Sequence, residues 1–281
     1  MIDVRLRERL GFGALFAATL LVVVPVILII WLIITKGASA ITWEFLLSMP
    51  RSGMRAGGIF PAIVGTFYLV LGSIAFSLPI GVMAAIYLHE YAKDNLLTRV
   101  INLAIINLAG VSSVVYGLFG LSLFVVFFKF GVSIISGSLT LGIMTLPVII
   151  ATTREALRAV PESFREVSFS LGTSRWQTIR HSVLPFALPG ILTGAILSIG
   201  RAAGETAPIL FTVAAFYLPN LPSSPFDQAM ALPYHLYIIS TQIPNIPINY
   251  RYGTALALVG LVLIMNISAI VIRSRFRRHK W

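Results

Sequence analysis

The sequence predicts an all-α integral membrane protein with six transmembrane helices. Three observations support this fold class: the composition, a series of long apolar tracts, and the placement of the basic residues. Of the 281 residues, 57% are hydrophobic and only 11% are charged, whereas a soluble protein carries about 25% charged residues. One helical membrane domain over residues 1–281 is therefore expected.

The predicted spans lie at residues 12–34, 59–88, 96–128, 139–153, 185–204 and 254–272. A span needs about 20 apolar residues. The third tract is longer than this, so it is expected to tilt or to begin in the membrane interface. The fourth is short, so its helix is expected to continue into the polar stretch after it. Basic residues precede the first tract and no cleavage site closely follows it, which favours a spanning helix over a signal peptide.

The basic residues predict that both termini are cytoplasmic. Of the 21 Lys and Arg residues, 15 fall on the side of the N-terminus in a six-span arrangement, 5 fall on the other side, and Arg201 lies inside a span. Cytoplasmic loops carry such an excess of basic residues. The net charge of +11 is therefore expected to face anionic lipid headgroups, and no nucleic-acid partner is expected.

Several classes of chemistry are not supported. The chain has no cysteine, which excludes disulfides and thiolate metal sites. Its four histidines are scattered and are expected at the surface or the interface, His235 among them. The sequence lacks HExxH, GxSxG and the glycine-rich phosphate loop of ATPases. No metal site, no catalytic residue and no enzymatic activity are therefore expected in this chain.

Two polar segments stand out between the spans. Residues 155–182 are predicted to form a cytoplasmic loop with a short helix at about 162–171, ended by Gly172 in the left-handed conformation. Ser174 and Gln177 have the spacing of a capping box for the next helix. Residues 219–249 are predicted to form an outer-side loop. Its apolar and aromatic middle, ALPYHLYIIS, is expected to be an interfacial helix.

Arg201 and Glu205 are two opposite charges in the fifth tract, within SIGRAAGETAPIL (residues 198–210). On a helix this spacing places them on one face, about 6 Å apart along the axis. A charge near the bilayer centre costs about 2.5–3.5 kcal/mol, so the pair is expected to face the bundle interior or a wet cavity. A guanidinium there is suited to bind an oxyanion. A structural salt bridge that fixes helix register is the alternative.

The cytoplasmic segment resembles the EAA loop of ABC-importer permeases. The residues that match the family pattern are Glu166, Gly172, Leu184 and Pro185. Val167 and Ser168 stand where the family has two alanines, and Ser182 stands where it has isoleucine. The resemblance implies that the helix from Glu162 is a coupling helix that sits in a groove of an ATPase subunit.

Two further segments resemble the phosphate-importer permeases of the PstA and PstC type. They are GRAAGETAP (residues 200–208) and AGVSSVVYGLFG (residues 109–120), the latter with Ser112 where a proline is usual. The resemblance extends from about residue 58 to the end of the chain and favours the PstA type. It implies that Arg201 and Glu205 line a translocation path. Ser113, Tyr116 and Thr206 are candidate hydroxyl donors there, or they bond only backbone carbonyls.

The resemblance also implies a MetI-like type I importer fold in a bacterial cytoplasmic membrane. The implied partners are a homologous PstC-like permease, a PstB-like ATPase dimer, a PstS-like phosphate-binding protein and membrane lipids. ATP and Mg would be bound by the ATPase, with no cofactor in this chain. The alternatives are a permease for another oxyanion (molybdate, sulfate or phosphonate) and a sensory scaffold for phosphate signalling.

Overall fold

The structure is a computed structural model, and it describes residues 4–51, 53–218 and 220–278. Five of its helices are long and apolar enough to cross a membrane, and a bent helix pair makes a sixth span if counted as one. The predicted all-α membrane fold is thus confirmed. The C-terminal residues 279–281 and Pro219, which begins the predicted outer loop, lie outside the described residues.

The first third of the chain contains a peripheral helix, a small outer element and a central helix. Helix α1 (Val4–Gly37) is exposed along its apolar length and packs mainly on the last helix of the chain. A short helix α2 (Trp43–Leu47) and an antiparallel pair, β1 (Pro50–Arg51) with β2 (Ala56–Gly57), follow it. Helix α3 (Phe60–Ile86) then continues through a widened π turn at Tyr87–Tyr91.

The third predicted span is two helices joined at a sharp bend. Helix α4 (Leu96–Ala109) and helix α5 (Ser113–Gly120, continued by a π turn at Leu121–Phe127) meet at 105°. The expectation of one straight, tilted helix over this tract is therefore wrong. Ser112 adopts φ −62° and ψ 143°, an extended conformation outside the helical region. The break thus forms at Ser112 although proline is absent.

The fourth span is helix α6 (Ile134–Arg158), which continues into the polar stretch as predicted and also begins earlier than residue 139. It packs along α3 in the most extensive helix pair of the fold. Beyond it lies the helix α7 (Ser163–Ser170), whose bounds are close to the predicted 162–171.

The fifth span begins before its predicted start near Pro185. Helix α8 (Arg175–Thr178), a π turn at Ile179–Val183 and helix α9 (Leu184–Gly204) form one helix of 30 residues. Both ends of the loop predicted at 155–182 are therefore helical, because α6 extends to Arg158 and the helix of the fifth span begins at Arg175. Polar residues mark where a helix leaves the membrane, but they do not end the helix.

Close packing of α9 against α6 explains why glycine occupies two positions of α9. A Cβ at Gly190 would lie 2.5 Å from the Cβ of Ala156 on α6, and one at Gly194 would overlap the Thr152 hydroxyl. These positions therefore allow α9 and α6 to approach closely. No atom of the described chain lies within 4 Å of a Cβ built on Gly204, so α9 is open at that position.

The chain ends with a short helix α10 (Ala207–Thr212), helix α11 (Leu232–Thr241) and the long helix α12 (Ile248–Arg278). The helix predicted in the outer segment is α11, but it packs on α3 and α12. The Leu232 N–H donates to the Thr66 hydroxyl at 2.8 Å, and His235 is only 2% exposed. The expected surface position of His235 is wrong, because the apolar residues around it pack into the protein core.

Candidate functional site

The charged pair lies where α9 ends. Arg201 is in its last turn, and Glu205 follows in an extended conformation with φ −75° and ψ 138°. The prediction that both residues lie on one helical face is therefore wrong in detail. The Arg201 Nε and Glu205 Oε1 atoms are nevertheless 3.7 Å apart, with 33% and 19% of the two side chains exposed. The sequence correctly predicted that the two charges meet.

Arg201 faces the open side of α9. Its neighbours Ala202 and Ala203 are buried in a cluster with Val70 of α3. One turn before Arg201, Leu197 is exposed, and the space beside Gly204 is open. Since residues four apart share a face of a helix, Arg201 lies on the same, less covered side of α9 as Leu197, with 33% of its side chain exposed. The pair is thus partly exposed at the surface of this chain, with Arg201 more accessible than Glu205.

The Arg201 guanidinium retains its hydrogen-bonding capacity. Among the described parts of the chain it makes the ion pair with Glu205 and no hydrogen bond within 3.5 Å. At 3.7 Å the pair is beyond hydrogen-bonding distance. An arginine carries five N–H donors in a planar fork. This arrangement can accept an incoming oxyanion without first breaking a strong bond.

The candidate hydroxyl donors differ in their availability. The Tyr116 side chain is buried, and its hydroxyl donates to the Leu108 carbonyl at 2.8 Å. Its hydrogen is thus bonded to the backbone, which favours the structural alternative. Ser113 and Thr206 are half-buried. Helix α10, directly after Thr206, packs on α5, which brings these two segments together near the end of α9.

The predicted coupling helix, α7, has the local signals that were expected. Gly172 adopts φ +77° with no atom within 4 Å of a built Cβ, so only its backbone conformation favours glycine. Ser174 and Gln177 form the reciprocal capping box. Glu162 is the N-cap residue of α7, and its side chain makes no hydrogen bond to the helix end. Glu166 is exposed in the first turn. Leu184 packs beneath this region, while Pro185 occupies the first turn of α9.

The outer face of α7 is unusually apolar for a polar segment. Its exposed residues include Val167, Phe169 and Leu171, and Trp176 of α8 lies exposed nearby. Exposed apolar patches on a protein surface mark sites of interaction. The two acidic residues Glu162 and Glu166 border this patch. The arrangement is suited to docking another protein, as expected of a coupling helix.

Sequence reasoning missed Arg165, the buried residue of α7. Its side chain forms an ion pair with Glu90 at the end of α3, with Nη2 and Oε1 2.7 Å apart. The hydrogen bond to Glu90 raises the pKa of Arg165. A basic residue on the inward face of a short amphipathic helix, and an acid at the end of an apolar tract, are signals that could have suggested the pair.

The two serines that depart from the EAA pattern contact each other. The Ser168 and Ser182 hydroxyls are 2.7 Å apart. One stands in place of alanine and the other in place of isoleucine, so two apolar residues are replaced by a hydrogen-bonded pair. The hydrogen bond joins α7 to the π turn before α9, which α7 contacts.

No group of three metal-ligating side chains occurs within residues 4–51, 53–218 and 220–278. The positions that would carry chemistry are thus the Arg201–Glu205 pair and the surface of α7. The first can bind an anion and the second can bind a protein. Together they are the features of a subunit that moves a solute under the control of a partner.

Comparison with known proteins agrees with this combination. Residues 77–280 match the family described as the binding-protein-dependent transport system inner membrane component. The chain is 34% identical over 274 residues to the phosphate transport system permease protein PstA 1 of Mycobacterium tuberculosis (strain CDC 1551 / Oshkosh), covering 96% of this chain and 89% of that one. It is 34% identical over 251 residues to the probable ABC transporter permease protein YqgI of Bacillus subtilis (strain 168), covering 84% and 85%.

A solved structure shows the same fold. The crystal structure of a bacterial alginate ABC transporter, in complex with an alginate pentasaccharide-bound periplasmic protein, contains a chain that matches with a TM-score of 0.68. The match covers 94% of this chain and 93% of that chain at 13% identity. The chain therefore belongs to the family of binding-protein-dependent transport system inner membrane components, the permease subunits of ABC importers, and has PstA-type permeases among its relatives.

Proposed function

We propose that this chain is the PstA-type permease subunit of an ATP-driven importer of inorganic phosphate. The observation that carries the proposal is the Arg201 guanidinium, which lies on the open face of α9 with its donors free of short hydrogen bonds. Relatives that are named phosphate transport permeases align over almost the whole chain. A planar cation with several donors suits a tetrahedral oxyanion.

The open side of α9 is suited to contact with a second subunit. A charged pair inside a membrane must face a protein interior or water, and this chain alone does not enclose Arg201. We propose that a homologous PstC-like permease covers the open face, so that a path forms between the two chains. A PstS-like binding protein would deliver phosphate from outside. Both termini would lie in the cytoplasm.

The energy would come from a PstB-like ATPase dimer that docks on α7. ATP and Mg would bind to that dimer, and this chain would contribute no catalytic residue and no cofactor. The apolar patch at Val167, Phe169 and Leu171 supports this assignment, since it is exposed on the helix that matches the coupling motif. Movement of the ATPases would rock α7 and open the path alternately.

Phosphate would pass Arg201 by exchange of partners. As the anion arrives, its oxygens replace the Glu205 carboxylate beside the guanidinium, which costs little because the existing contact is 3.7 Å long. As it leaves, Glu205 returns and releases the anion by competition. Binding at this point should be modest, because a transported ion must also dissociate.

Uptake of radiolabelled phosphate by the complete complex in proteoliposomes tests the proposal. We expect Arg201→Gln to abolish uptake and Arg201→Lys to retain a small fraction, since lysine keeps the charge but not the fork. Arg99→Gln is the matched control, because it removes a guanidinium from an ion pair that is 71% and 76% exposed. Normal uptake by assembled Arg201→Gln complex contradicts the path role. Stronger competition by sulfate, molybdate or a phosphonate than by phosphate contradicts the cargo.

A further inference from the structure

Arg165 joins helix α7 to the ends of two neighbouring helices. Its guanidinium donates to the Glu90 carboxylate twice, from Nη2 to Oε1 at 2.7 Å and from Nε to Oε2 at 3.4 Å. It also donates to the carbonyls of Leu157 and Val160, both at 3.2 Å. A last bond reaches Glu162 at 3.3 Å. The partners belong to the end of α3, the end of α6 and the start of α7.

This arrangement uses the full capacity of the side chain. An arginine has five N–H donors, and each has one acceptor here. The residue is 7% exposed, so water does not compete strongly for these donors. Charge-assisted bonds to a carboxylate are among the strongest that a side chain forms in proteins. Arg165 therefore resists any displacement of α7 relative to Glu90.

We propose that the Arg165–Glu90 pair is the joint that transmits movement of the coupling helix to α3. The joint positions helices and does not touch the transported anion. The proposal rests on the proposed function only in taking α7 as the ATPase contact. It explains why a buried ion pair stands beneath a short helix whose opposite face is exposed.

A continuous structure leads from this joint to the anion site. The helix that carries Glu90 runs without interruption from Phe60 to Tyr91. Val70, about 30 Å along that helix from Glu90 at helical rise, packs in one cluster with Ala202 and Ala203. These alanines directly follow Arg201. A push on α7 thus reaches the helix turn that holds the guanidinium through packed side chains and one ion pair.

The first experiment measures whether α7 and the end of α3 move as one body. Since this chain has no cysteine, single cysteines at the exposed positions Ser163 and Tyr87 can carry spin labels without background from this subunit, and exposed cysteines of the other subunits are first replaced. In the otherwise wild-type complex we expect the same distance between the labels without nucleotide and with ATP trapped on the ATPases. A distance that changes between the two states overturns the proposal, whatever anion the complex carries.

The second experiment removes the charge of Glu90 from the Arg165–Glu90 pair and keeps the size of the side chain. We expect Glu90→Gln to lower the number of phosphate ions imported per ATP hydrolysed by about tenfold, and to separate the label distances of the two states. Arg165→Lys should show a smaller loss, because it keeps the charge but cannot hold five acceptors. Asp94→Asn is the matched control. It breaks an exposed carboxylate–guanidinium pair, Asp94–Arg99, of 3.0 Å nearby, and it should leave the ratio unchanged.

The outcomes separate this proposal from the proposed function. An assembled Glu90→Gln complex with a normal transport ratio overturns the joint. If Glu90→Gln does not assemble, the label distances of the wild type and of Arg165→Lys decide. If the wild type moves another anion instead of phosphate, the cargo is wrong, yet the ratio for that anion still tests the joint.

Discussion

Arg165 and Arg201 are arginines in the same chain with opposite surroundings. The Arg165 side chain is 9% exposed, and all five of its donors have an acceptor. Arg201 is 33% exposed and has one carboxylate at 3.7 Å. The first lies in a short helix between the spans, and the second lies at the end of a membrane helix. The two environments suit different roles, because saturated donors hold segments together and free donors can respond to a passing anion.

The two arginines are expected to contribute to different properties, Arg165 to stability and Arg201 to transport. Loss of one partner from a buried ion pair leaves an uncompensated charge and costs about 3–5 kcal/mol. Loss of Arg201 removes only a long contact on an open surface. Residue type alone therefore does not distinguish the two arginines, whereas the count of satisfied donors shows which guanidinium is free to bind an anion.

The largest expected effects come from substituting the two arginines by alanine. Arg165→Ala should lower the free energy of unfolding by about 3–5 kcal/mol, because Glu90 is left buried without its cation. Arg201→Ala should change it by less than about 1 kcal/mol while phosphate uptake is lost. Thermal unfolding in detergent and uptake in proteoliposomes measure the two quantities. Equal destabilisation by both substitutions would break the comparison.

His235 extends the comparison of the two arginines to a third case, a polar side chain that is buried but not hydrogen-bonded within the described chain. Neither ring nitrogen has a hydrogen-bond partner within the described chain, and burial lowers its pKa from 6.5 to about 4. The unfolded chain therefore binds the proton more tightly. The stability due to the neutral ring is fully present above pH 6.5 and is lost as the pH falls toward 4, by roughly 3 kcal/mol.

The melting temperature as a function of pH tests this effect. His235→Leu should flatten the decline between pH 6.5 and 4, because no imidazole remains to be protonated in the core. His181→Leu is the matched control, since His181 is exposed in the π turn before α9 and should leave the decline in place. An unchanged pH profile in His235→Leu would mean that other groups cause the acid sensitivity.

The smallest expected effect concerns the turn after α7. Gly172→Val should cost about 1–2 kcal/mol, the penalty for a side chain in the left-handed conformation, and should lower transport per ATP hydrolysed. Gly131 has a similar φ of +69° and equally open surroundings, so Gly131→Val should cost as much. It should leave coupling intact, because Gly131 precedes the start of α6 whereas α7 follows its end, so a helix of 25 residues separates them. Uncoupling by both variants would mean that general destabilisation is the cause.

Features set by local chemistry were predictable from the sequence. The bounds of α7, the left-handed Gly172 and the Ser174–Gln177 capping box depend on neighbouring residues, and the structure has all three. The number of membrane segments and the meeting of Arg201 with Glu205 were also predictable. Apolar length and helical spacing determine both, and the importer-permease family was recognisable from its motifs.

Features set by distant contacts were not predictable. Arg165 and Glu90 are 75 residues apart, and no local pattern pairs them. The burial of His235 depends on α11 packing into the core of α3 and α12. The bend between α4 and α5 forms without the proline that would signal it. In each case the tertiary structure overrides a reasonable local interpretation.

The open face of α9 has a consequence for how such proteins diversify. Leu197 is exposed and the space beside Gly204 is empty, so in the proposed two-permease arrangement one polypeptide would supply only half of the conduit wall. Solute preference is then a shared property of two genes, and neither chain determines it alone. Hybrid importers, built by exchanging one half between related systems, should acquire preferences that neither parent has.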